Sequence, residues 1–244
     1  MTPVKFFSFP GNYPSFDCIL TLRASGPMKA GINDANRSRV FTSLGIDLAQ
    51  TVSLTQTHSR RVLVSSSDIH SGYPEGDGIL TVNPATIPCV TVADCMPIWL
   101  FNRKTGCFGV LHSGWKGTGI LQEALVCAKE EWGAQSQDFL VILGPHIRSC
   151  CYTVDEQRAR YFSETFGPSC VVLDEALMAS ASPWSWRLSL SEANRLIALE
   201  AGIPADQVLD TALCTACSTE FGSCRREGSE NFTHMAAFIR PRVH

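Results

Sequence analysis

The chain has 244 residues, of which 45% are hydrophobic, and its 20 basic and 23 acidic residues give a formal net charge of −3. This length and composition favour one elaborated domain with a large core over two small domains. Neither charge sign forms a long run, which argues against a nucleic-acid partner, and no window reaches the ~18 apolar residues of a membrane span. We therefore expect a single domain over residues 1–244, in the cytoplasm, acting on small molecules without a membrane partner.

Hydrophobic patterning predicts strands and helices along the whole chain. Strands are predicted at 17–23, 60–65, 79–82, 88–93, 97–101, 107–112, 139–143 and 170–173. Helices are predicted at 33–44, 117–132, after Thr153 and at 189–201, and a loop at 180–185. The fold class that follows is α/β (α+β), a single domain with mixed β-sheets flanked by helices.

The chain has eleven cysteines, an odd number, and its N-terminal segment lacks the pattern of a secretion signal. Reduced thiols are therefore expected rather than a disulfide framework. Free cysteine packs as a small hydrophobe. We predict that five of the cysteines lie in the core, namely Cys18, Cys89, Cys107, Cys127 and Cys170.

The one CxxC motif, Cys214 to Cys217, is interpreted as structural packing rather than as a redox or zinc site. A zinc site would need a second pair, and only the adjacent Cys150 and Cys151 remain for it. Adjacent side chains of an extended segment point to opposite faces, so these two are not expected to share one site.

Three separated segments carry metal-binding side chains: TQTHS with His58, VADCMP with Cys95 and GVLHSGWKG with His112. Two imidazoles and one thiolate suit zinc, or copper as an alternative, and three protein ligands leave a fourth position open. None of the segments is a compact zinc signature. Spacing alone therefore leaves open that the three residues are unrelated, or that Cys95 is a thiolate nucleophile with His112 as its base.

The interval 102–106 lies between two apolar runs and is rich in turn-forming residues, which predicts a hairpin. A turn centred between residues 103 and 104 would pair Cys95 directly with His112. A turn that includes Gly106 would shift the register by two and make the pair diagonal neighbours, still within ligand reach. Pro97 cannot donate to the ladder, so Cys95 is expected on a loop just past the strand end.

Six ordered segments resemble the laccase-domain family: THSRRV, GDGILT, VTVADCMPIWL, GVLHSGWKGTG, GPHIRSCCYTV and CTACSTEFGSCRREG. The resemblance covers about residues 20 to 240. Members of this family were first labelled multicopper polyphenol oxidases and later described as purine nucleoside phosphorylases with adenosine deaminase activity. The resemblance implies a layered sandwich like the laccase-domain or cysteine-hydrolase-like fold, with His58, Cys95 and His112 as zinc ligands and catalytic residues.

The resemblance further implies a zinc-dependent phosphorylase of adenosine, inosine or methylthioadenosine, with nucleoside and phosphate as its small-molecule partners. We expect a monomer or small homo-oligomer. Alternatives are a copper-dependent polyphenol oxidase, a Cys-His amide hydrolase and a non-catalytic metal-binding module. The sequence lacks the His-x-His pairs that a multicopper cluster demands.

Four residues are predicted to bind substrate. Gln56 shares a face with His58 by the period-two rule. Arg225 and Arg226 offer a bidentate grip on phosphate, and Arg148 adds positive charge.

Three further residues lie near the predicted site. One is expected to support it indirectly, and each of the other two has two possible roles. Asp94 is expected to orient a neighbouring group rather than touch the metal. Asp77 is a turn residue or, as the alternative, a ribose acceptor, with the turn favoured. Trp115 packs a turn or stacks on a base, with packing favoured.

Two segments depart from the family pattern and predict a divergent bacterial member with altered substrate contacts. The segment LRASGPMKAGIN keeps Arg23 but lacks the paired glycines usual in the family. Near the C-terminus, the usual Ser-Tyr-Arg-Arg-Asp-Gly is Ser-Cys-Arg-Arg-Glu-Gly at 223–228, and Gly-Arg-Met is Thr-His-Met at 233–235.

Overall fold

A computed structural model describes residues 2–11, 13–65 and 72–242 of the chain. The strands are β1 (Val4–Phe9), β2 (Tyr13–Thr21), β3 (Thr51–Val52), β4 (Val62–Val64), β5 (Gly78–Thr81), β6 (Ile87–Val92), β7 (Met96–Asn102), β8 (Phe108–Ser113), β9 (Phe139–Leu143), β10 (Thr153–Val154), β11 (Val171–Leu173), β12 (Trp186–Leu188), β13 (Val208–Asp210) and β14 (Met235–Pro241). The helices are α1 (Asp34–Ser43), α2 (Ile120–Trp132), α3 (Glu156–Phe166), α4 (Glu175–Ala179), α5 (Leu190–Glu200) and α6 (Cys224–Glu227).

A six-stranded mixed sheet in the order β13-β9-β7-β8-β5-β4 forms the centre of the fold. The middle strands β9, β7, β8 and β5 pair antiparallel, whereas β13 and β4 join the two edges in parallel. Because β7 and β8 are antiparallel and β8 and β5 are antiparallel, the beginnings of β7 and β5 meet the end of β8 at one edge of the sheet. Residues just outside these three strand ends are thereby brought together.

A five-stranded sheet in the order β1-β2-β14-β6-β3 packs against one face of the central sheet. Apolar side chains of both sheets form one buried cluster between them, which includes Trp99 and Val110 from the central sheet and Leu20 and Val90 from the other. The indole N–H of the fully buried Trp99 donates to the carbonyl of Phe238 at 3.0 Å, so the two sheets are joined by a hydrogen bond as well as by packing.

Helices cover the outer faces of both sheets. Buried residues of α2, α3 and α5 form a large core with the far face of the central sheet. On the other side, α1 covers the five-stranded sheet, with Phe41 packed edge-on to Phe238 at 5.0 Å between ring centroids. A small sheet in the order β10-β12-β11 lies beside α3. The layers helix, sheet, sheet and helix confirm the predicted mixed α+β class and layered sandwich.

The strands and helices predicted from hydrophobic patterning are confirmed, with boundaries that differ by a few residues. The patterning missed β1 and β14, the short strands β3, β10, β12 and β13, and the short helices α4 and α6. The sequence of β14, MAAFIRP, has two alanines and little strand propensity of its own, but it lies between β2 and β6 and pairs with both. Tertiary pairing therefore makes a strand where local propensity is weak.

The core cysteines lie as predicted in four of five positions. Cys18, Cys89, Cys107 and Cys170 are buried. Cys127, on α2, is only partly buried but still packs against the large core.

Among the helices in the described ranges, none combines the length and the apolar character that crossing a membrane requires.

Replacing Trp99 with Phe tests how the two sheets are joined. The substitution removes the hydrogen bond to the Phe238 carbonyl and part of a buried ring, so we expect the free energy of unfolding to fall by about 2–3 kcal/mol. Trp132→Phe, at the partly buried end of α2, is the matched control and should cost much less. Urea denaturation of the three proteins measures the difference. Equal losses in both variants would contradict this account of the interface.

Candidate metal centre

His58, Cys95 and His112 meet at the edge of the central sheet where β7 and β5 begin and β8 ends. Their ligand atoms all lie within 4.8 Å of one another, and the two imidazole centroids are 4.9 Å apart. His112 belongs to β8, Cys95 directly precedes β7, and His58 lies in the loop between β3 and β4. The structure therefore brings together the three residues that the resemblance selected.

The hairpin between β7 and β8 has the register in which Gly106 belongs to the turn. Pro97 is paired with His112 and Met96 with Ser113, so direct pairing of Cys95 with His112 is wrong and the diagonal arrangement is confirmed. Cys95 lies just outside β7, as the position of Pro97 predicted. The diagonal offset places the thiol beside the imidazole rather than opposite it.

Gly114 leaves the space that the Cys95 side chain occupies. A Cβ atom at Gly114 would lie 2.7 Å from the Cys95 Sγ and 3.6 Å from a carbon of the His58 ring. The first distance is well inside van der Waals contact, so any larger residue at this position must displace the thiol.

Asp77 is the buried carboxylate on which the geometry of the site depends. Its Oδ1 lies 2.8 Å from His112 Nδ1, and it accepts from the backbone N–H groups of His58 at 3.0 Å and Ser59 at 2.7 Å. His58 has a left-handed backbone with φ 59°, which costs energy for a non-glycine residue and is held by these bonds. One carboxylate therefore orients one imidazole and shapes the turn that carries the other.

This finding corrects both interpretations of Asp77. It is neither a simple turn residue nor placed to accept from a ribose, because its oxygens are already used by His112 and the 57–59 turn. With Nδ1 of His112 bonded to Asp77, Nε2 is the nitrogen left for a metal, as in many carboxylate–histidine–metal arrangements.

The charges of the triad are strongly coupled. Burial raises the pKa of the Cys95 thiol, but attraction to His112 and hydrogen bonds from both imidazoles outweigh it and lower that pKa to about 6. Burial lowers the pKa of His112, but Cys95 and Asp77 outweigh it and raise that pKa to about 9. Burial likewise opposes ionisation of Asp77, yet His112 and Ser59 lower its pKa to about 2. The chain is thus built to hold a thiolate at neutral pH.

Asp94 connects Cys95 to a loop far along the chain. Its backbone is left-handed with φ 78°, and its carboxylate accepts from the Thr215 hydroxyl at 2.6 Å and from the backbone N–H of Arg225 at 2.7 Å. Its carbonyl accepts from Ile147 N–H at 2.9 Å. Asp94 therefore anchors the turn that presents the thiol, an indirect role of the kind predicted for it.

The triad lies on the wall of a cavity of about 820 Å³, which is within the usual range for small-molecule sites. Aromatic and cationic side chains line much of it. The residues that line the cavity include Lys29, Gln56, Trp115, Tyr152, Arg225, Phe232 and His234.

Two of the four predicted substrate-binding residues line this cavity and two do not. Gln56 lines it, although its amide also holds the backbone of Thr91, and Arg225 lines it with an exposed guanidinium. Arg148 instead donates to both carboxylate oxygens of Asp210 at 2.7 and 2.9 Å. Arg226 is occupied by carbonyls of a neighbouring loop, including that of Ser218 at 2.6 Å. The prediction that Arg148 and Arg226 contact substrate is not supported, because both guanidinium groups serve structural partners.

Lys29 and His234 are cavity residues that sequence reasoning did not select. Both lie in segments that depart from the family pattern, and that departure was the signal available for finding them. Trp115 lines the cavity and is covered by the Arg158 guanidinium at 4.3 Å, so it both packs and presents a wall to the cavity.

The donor set fits zinc. Two neutral imidazoles and a thiolate are preferred zinc ligands, so zinc binding would displace the proton that the low pKa of Cys95 and the high pKa of His112 place on His112. With three protein ligands a fourth position is open. The layered α+β sandwich and this site define a class of proteins with a Cys-His-His cluster, suited to hold a metal, beside a small-molecule cavity.

Within that class, the chain belongs to the family described as multi-copper polyphenol oxidoreductase laccase, whose model matches residues 26–242. It is 30% identical over 214 residues to a protein named purine nucleoside phosphorylase YlmD from Geobacillus stearothermophilus, covering 84% of this chain and 77% of that one. It is 31% identical over 202 residues to adenosine deaminase RL5 from an unknown prokaryotic organism, covering 79% and 76%.

The fold of a solved relative agrees with that of this chain. The crystal structure of YlmD from Geobacillus stearothermophilus matches with a TM-score of 0.83 and 26% identity, covering 95% of this chain and 93% of that one.

Replacing Gly114 with Ala should weaken metal binding without unfolding the protein. The new methyl group displaces Cys95 Sγ, and we expect zinc affinity to fall at least tenfold. Gly106→Ala, in the hairpin turn at φ 77°, is the control, since it should cost about 1 kcal/mol of stability but leave zinc affinity unchanged. Competition with a chromogenic chelator measures both. Wild-type affinity in Gly114→Ala would contradict the geometry.

In metal-stripped protein, Cys95 should react with iodoacetamide with a midpoint near its pKa of about 6, because the thiolate forms above that pH. Asp77→Asn removes the charge that favours the His112 imidazolium, so the midpoint should move to higher pH. Asp17→Asn is the control, because Asp17 pairs with Arg240 and Arg242 on another sheet. A midpoint that stays near 6 in Asp77→Asn would show that Asp77 does not set the charge of the site.

Proposed function

We propose that this chain is a zinc-dependent purine nucleoside phosphorylase that acts on adenosine, inosine or methylthioadenosine and also deaminates adenosine. The observation that carries the proposal is the position of His58, Cys95 and His112 on the wall of a large cavity with aromatic and cationic lining. The names of the relatives, purine nucleoside phosphorylase and adenosine deaminase, support the substrate class.

Zinc held by His58, Cys95 and His112 would supply a Lewis acid. The chain's own contribution is to fix these three side chains. Asp77 holds His112 through Nδ1, the 57–59 turn fixes His58, and Asp94 fixes the backbone at Cys95. Because Asp77 holds both histidines and Asp94 fixes the backbone at Cys95, the site is preorganised before substrate arrives.

Aromatic side chains provide surfaces for a purine. Trp115, Tyr152 and Phe232 line the cavity, and planar bases stack on such rings. Arg225 lies 5.7 Å from the Tyr152 ring centroid and donates through Nη1 to the Cys151 carbonyl at 3.0 Å. These contacts hold the guanidinium at the cavity wall, where its charge can attract phosphate together with that of Lys29.

His234 supplies a neutral polar group in the cavity. Burial, together with the positive charges of Lys29 and His112, lowers its pKa to about 4. At neutral pH its imidazole is therefore uncharged and can donate one hydrogen bond and accept another. We assign it to hydrogen bonding with the base or the ribose rather than to phosphate.

A second function is favoured by one observation. The lowered pKa of Cys95 beside the raised pKa of His112 gives the thiolate and imidazolium that a cysteine nucleophile requires. This pair would support amide hydrolysis without a metal. Nucleoside turnover that is lost on chelation and restored by zinc supports the phosphorylase, whereas turnover of amides by stripped protein supports the hydrolase.

The direct test is incubation of zinc-replete protein with adenosine and phosphate, followed by chromatography. Adenine with ribose 1-phosphate is the expected product of phosphorolysis, and inosine is the product of deamination. Cys95→Ser should lose both activities at least a hundredfold because it loses the thiolate ligand. Cys127→Ser is the matched control and should retain them. No turnover of any of the three nucleosides by zinc-replete protein would overturn the proposal.

Arg225→Lys should raise the KM for phosphate about tenfold and change the KM for nucleoside little, because lysine keeps the charge but loses the planar fork. Arg195→Lys, on the surface of α5 beside Glu192, is the control. Steady-state kinetics at varied phosphate measures the effect. An unchanged KM for phosphate in Arg225→Lys would remove Arg225 from the phosphate site.

A further inference from the structure

Four cysteines outside the catalytic cavity converge on one point. The Sγ atoms of Cys150, Cys151, Cys214 and Cys217 all lie within 4.8 Å of one another. Cys217 Sγ is 3.3 Å from that of Cys151 and 3.6 Å from that of Cys150. The four residues come from two segments that are more than 60 positions apart in the chain, so their meeting is a product of the fold.

The expectation that adjacent cysteines face opposite ways is wrong for this segment, because residues 149–151 form a turn instead of a strand. Backbone N–H groups of Cys151 and Tyr152 both donate to the Arg148 carbonyl, at 2.9 and 2.8 Å, which curls the chain. In a turn, neighbouring side chains can point to the same side. The CxxC motif thereby has the second pair that a four-cysteine site needs.

Both segments are held in place by arginines that bond their carbonyl groups. Arg187 donates to the carbonyls of Ser149 at 3.1 Å and Cys150 at 2.7 Å. Arg226 donates to the carbonyls of Thr215 at 2.5 Å and Ser218 at 2.6 Å. These guanidinium groups order the turn and the 214–217 loop.

A backbone N–H donor is aimed at one of the four sulfur atoms. The backbone N–H of Arg148 points to Cys214 Sγ at 3.5 Å. Backbone N–H donors to sulfur stabilise the charged form that binds a metal.

We propose that Cys150, Cys151, Cys214 and Cys217 form a second, structural metal site that binds zinc through four sulfur atoms. Tetrahedral zinc with Zn–S bonds of about 2.3 Å requires sulfur atoms about 3.8 Å apart, and the observed cluster spans that value. On binding, each thiol that is still protonated releases its proton to solvent, and no electron is transferred. Four protein ligands leave no open position, so this site is structural and not catalytic.

The proposed site ties the turn at 149–151 to the loop at 214–217, and this loop supports the catalytic centre. The Thr215 hydroxyl, between the two loop cysteines, donates to Asp94, which precedes Cys95. Zinc bound by the four cysteines would therefore stabilise the turn that presents the catalytic thiol. The site does not depend on which reaction the cavity performs.

Zinc analysis in a Cys95→Ser background separates the second site from the first. The Cys95→Ser variant lacks the thiolate of the triad. We therefore expect only the four-cysteine site to retain metal, which gives about one zinc per chain after purification without added metal or chelator. Adding Cys217→Ser should reduce that value at least tenfold, whereas adding the control Cys127→Ser should not. Cys217→His should restore it, since three thiolates and one imidazole are also a zinc ligand set. Less than a tenth of a zinc per chain in Cys95→Ser alone would overturn the proposal.

X-ray absorption of the Cys95→Ser protein keeps the proposal testable if the Cys217 variants do not fold. Four sulfur neighbours at about 2.3 Å are expected, and a shell of nitrogen or oxygen would overturn it. A thiol count under denaturing conditions with chelator adds an independent result. In the wild-type protein all eleven cysteines should react. A count lower by two, restored by reductant, would show a disulfide in the cluster and would contradict a four-thiolate site.

Discussion

The buried carboxylate of Asp77 is the constraint on which the candidate metal site depends. It lies just before β5, one strand away from His112 in β8, and the pairing of these strands brings its Oδ1 to 2.8 Å from the imidazole. The same carboxylate closes the turn that carries His58. A charge with no exposure to solvent is costly unless it is paired and hydrogen-bonded, and here both conditions are met. The sheet therefore determines the position of two ligands through one side chain.

The third ligand depends on a different set of contacts. Cys95 follows Asp94, whose carboxylate is bonded to Thr215 and to the backbone of Arg225. Arg225 in turn lines the cavity, and Thr215 lies between Cys214 and Cys217. The thiolate, a cavity cation and the four-cysteine cluster are thus connected through Asp94. Ordering of this loop and presentation of the Cys95 thiol are parts of one arrangement.

Much of the fold could be predicted from the sequence because its strands are short, apolar and separated by turn residues. The sequence predicts the hairpin that places Cys95 beside His112, but it leaves two strand registers possible. The choice between the two registers depends on whether Gly106 belongs to the turn. β14 could not be predicted, since the neighbours β2 and β6 make it a strand. His58, Cys95 and His112 were selected as candidate metal ligands by resemblance, because spacing alone does not distinguish three distant ligands from unrelated residues.

The parts of the site that the sequence did not reveal depend on long-range contacts. The role of Asp77 requires the alignment of β5 with β8, and nothing in a Gly-Asp-Gly segment distinguishes it from a turn. Arg148 and Arg226 were predicted to bind substrate because a pattern cannot show that a guanidinium already has structural partners. The cysteine cluster is not evident from the sequence, because nothing in it distinguishes the local turn at 149–151 from an extended segment.

Anomalous diffraction at the zinc edge, from crystals grown with zinc and soaked with adenosine, tests the central claim most directly. The account predicts an anomalous peak bonded to His58, Cys95 and His112, with nucleoside density in the adjacent cavity. Absence of a peak at these three residues in zinc-replete crystals, or nucleoside bound away from them, would contradict it.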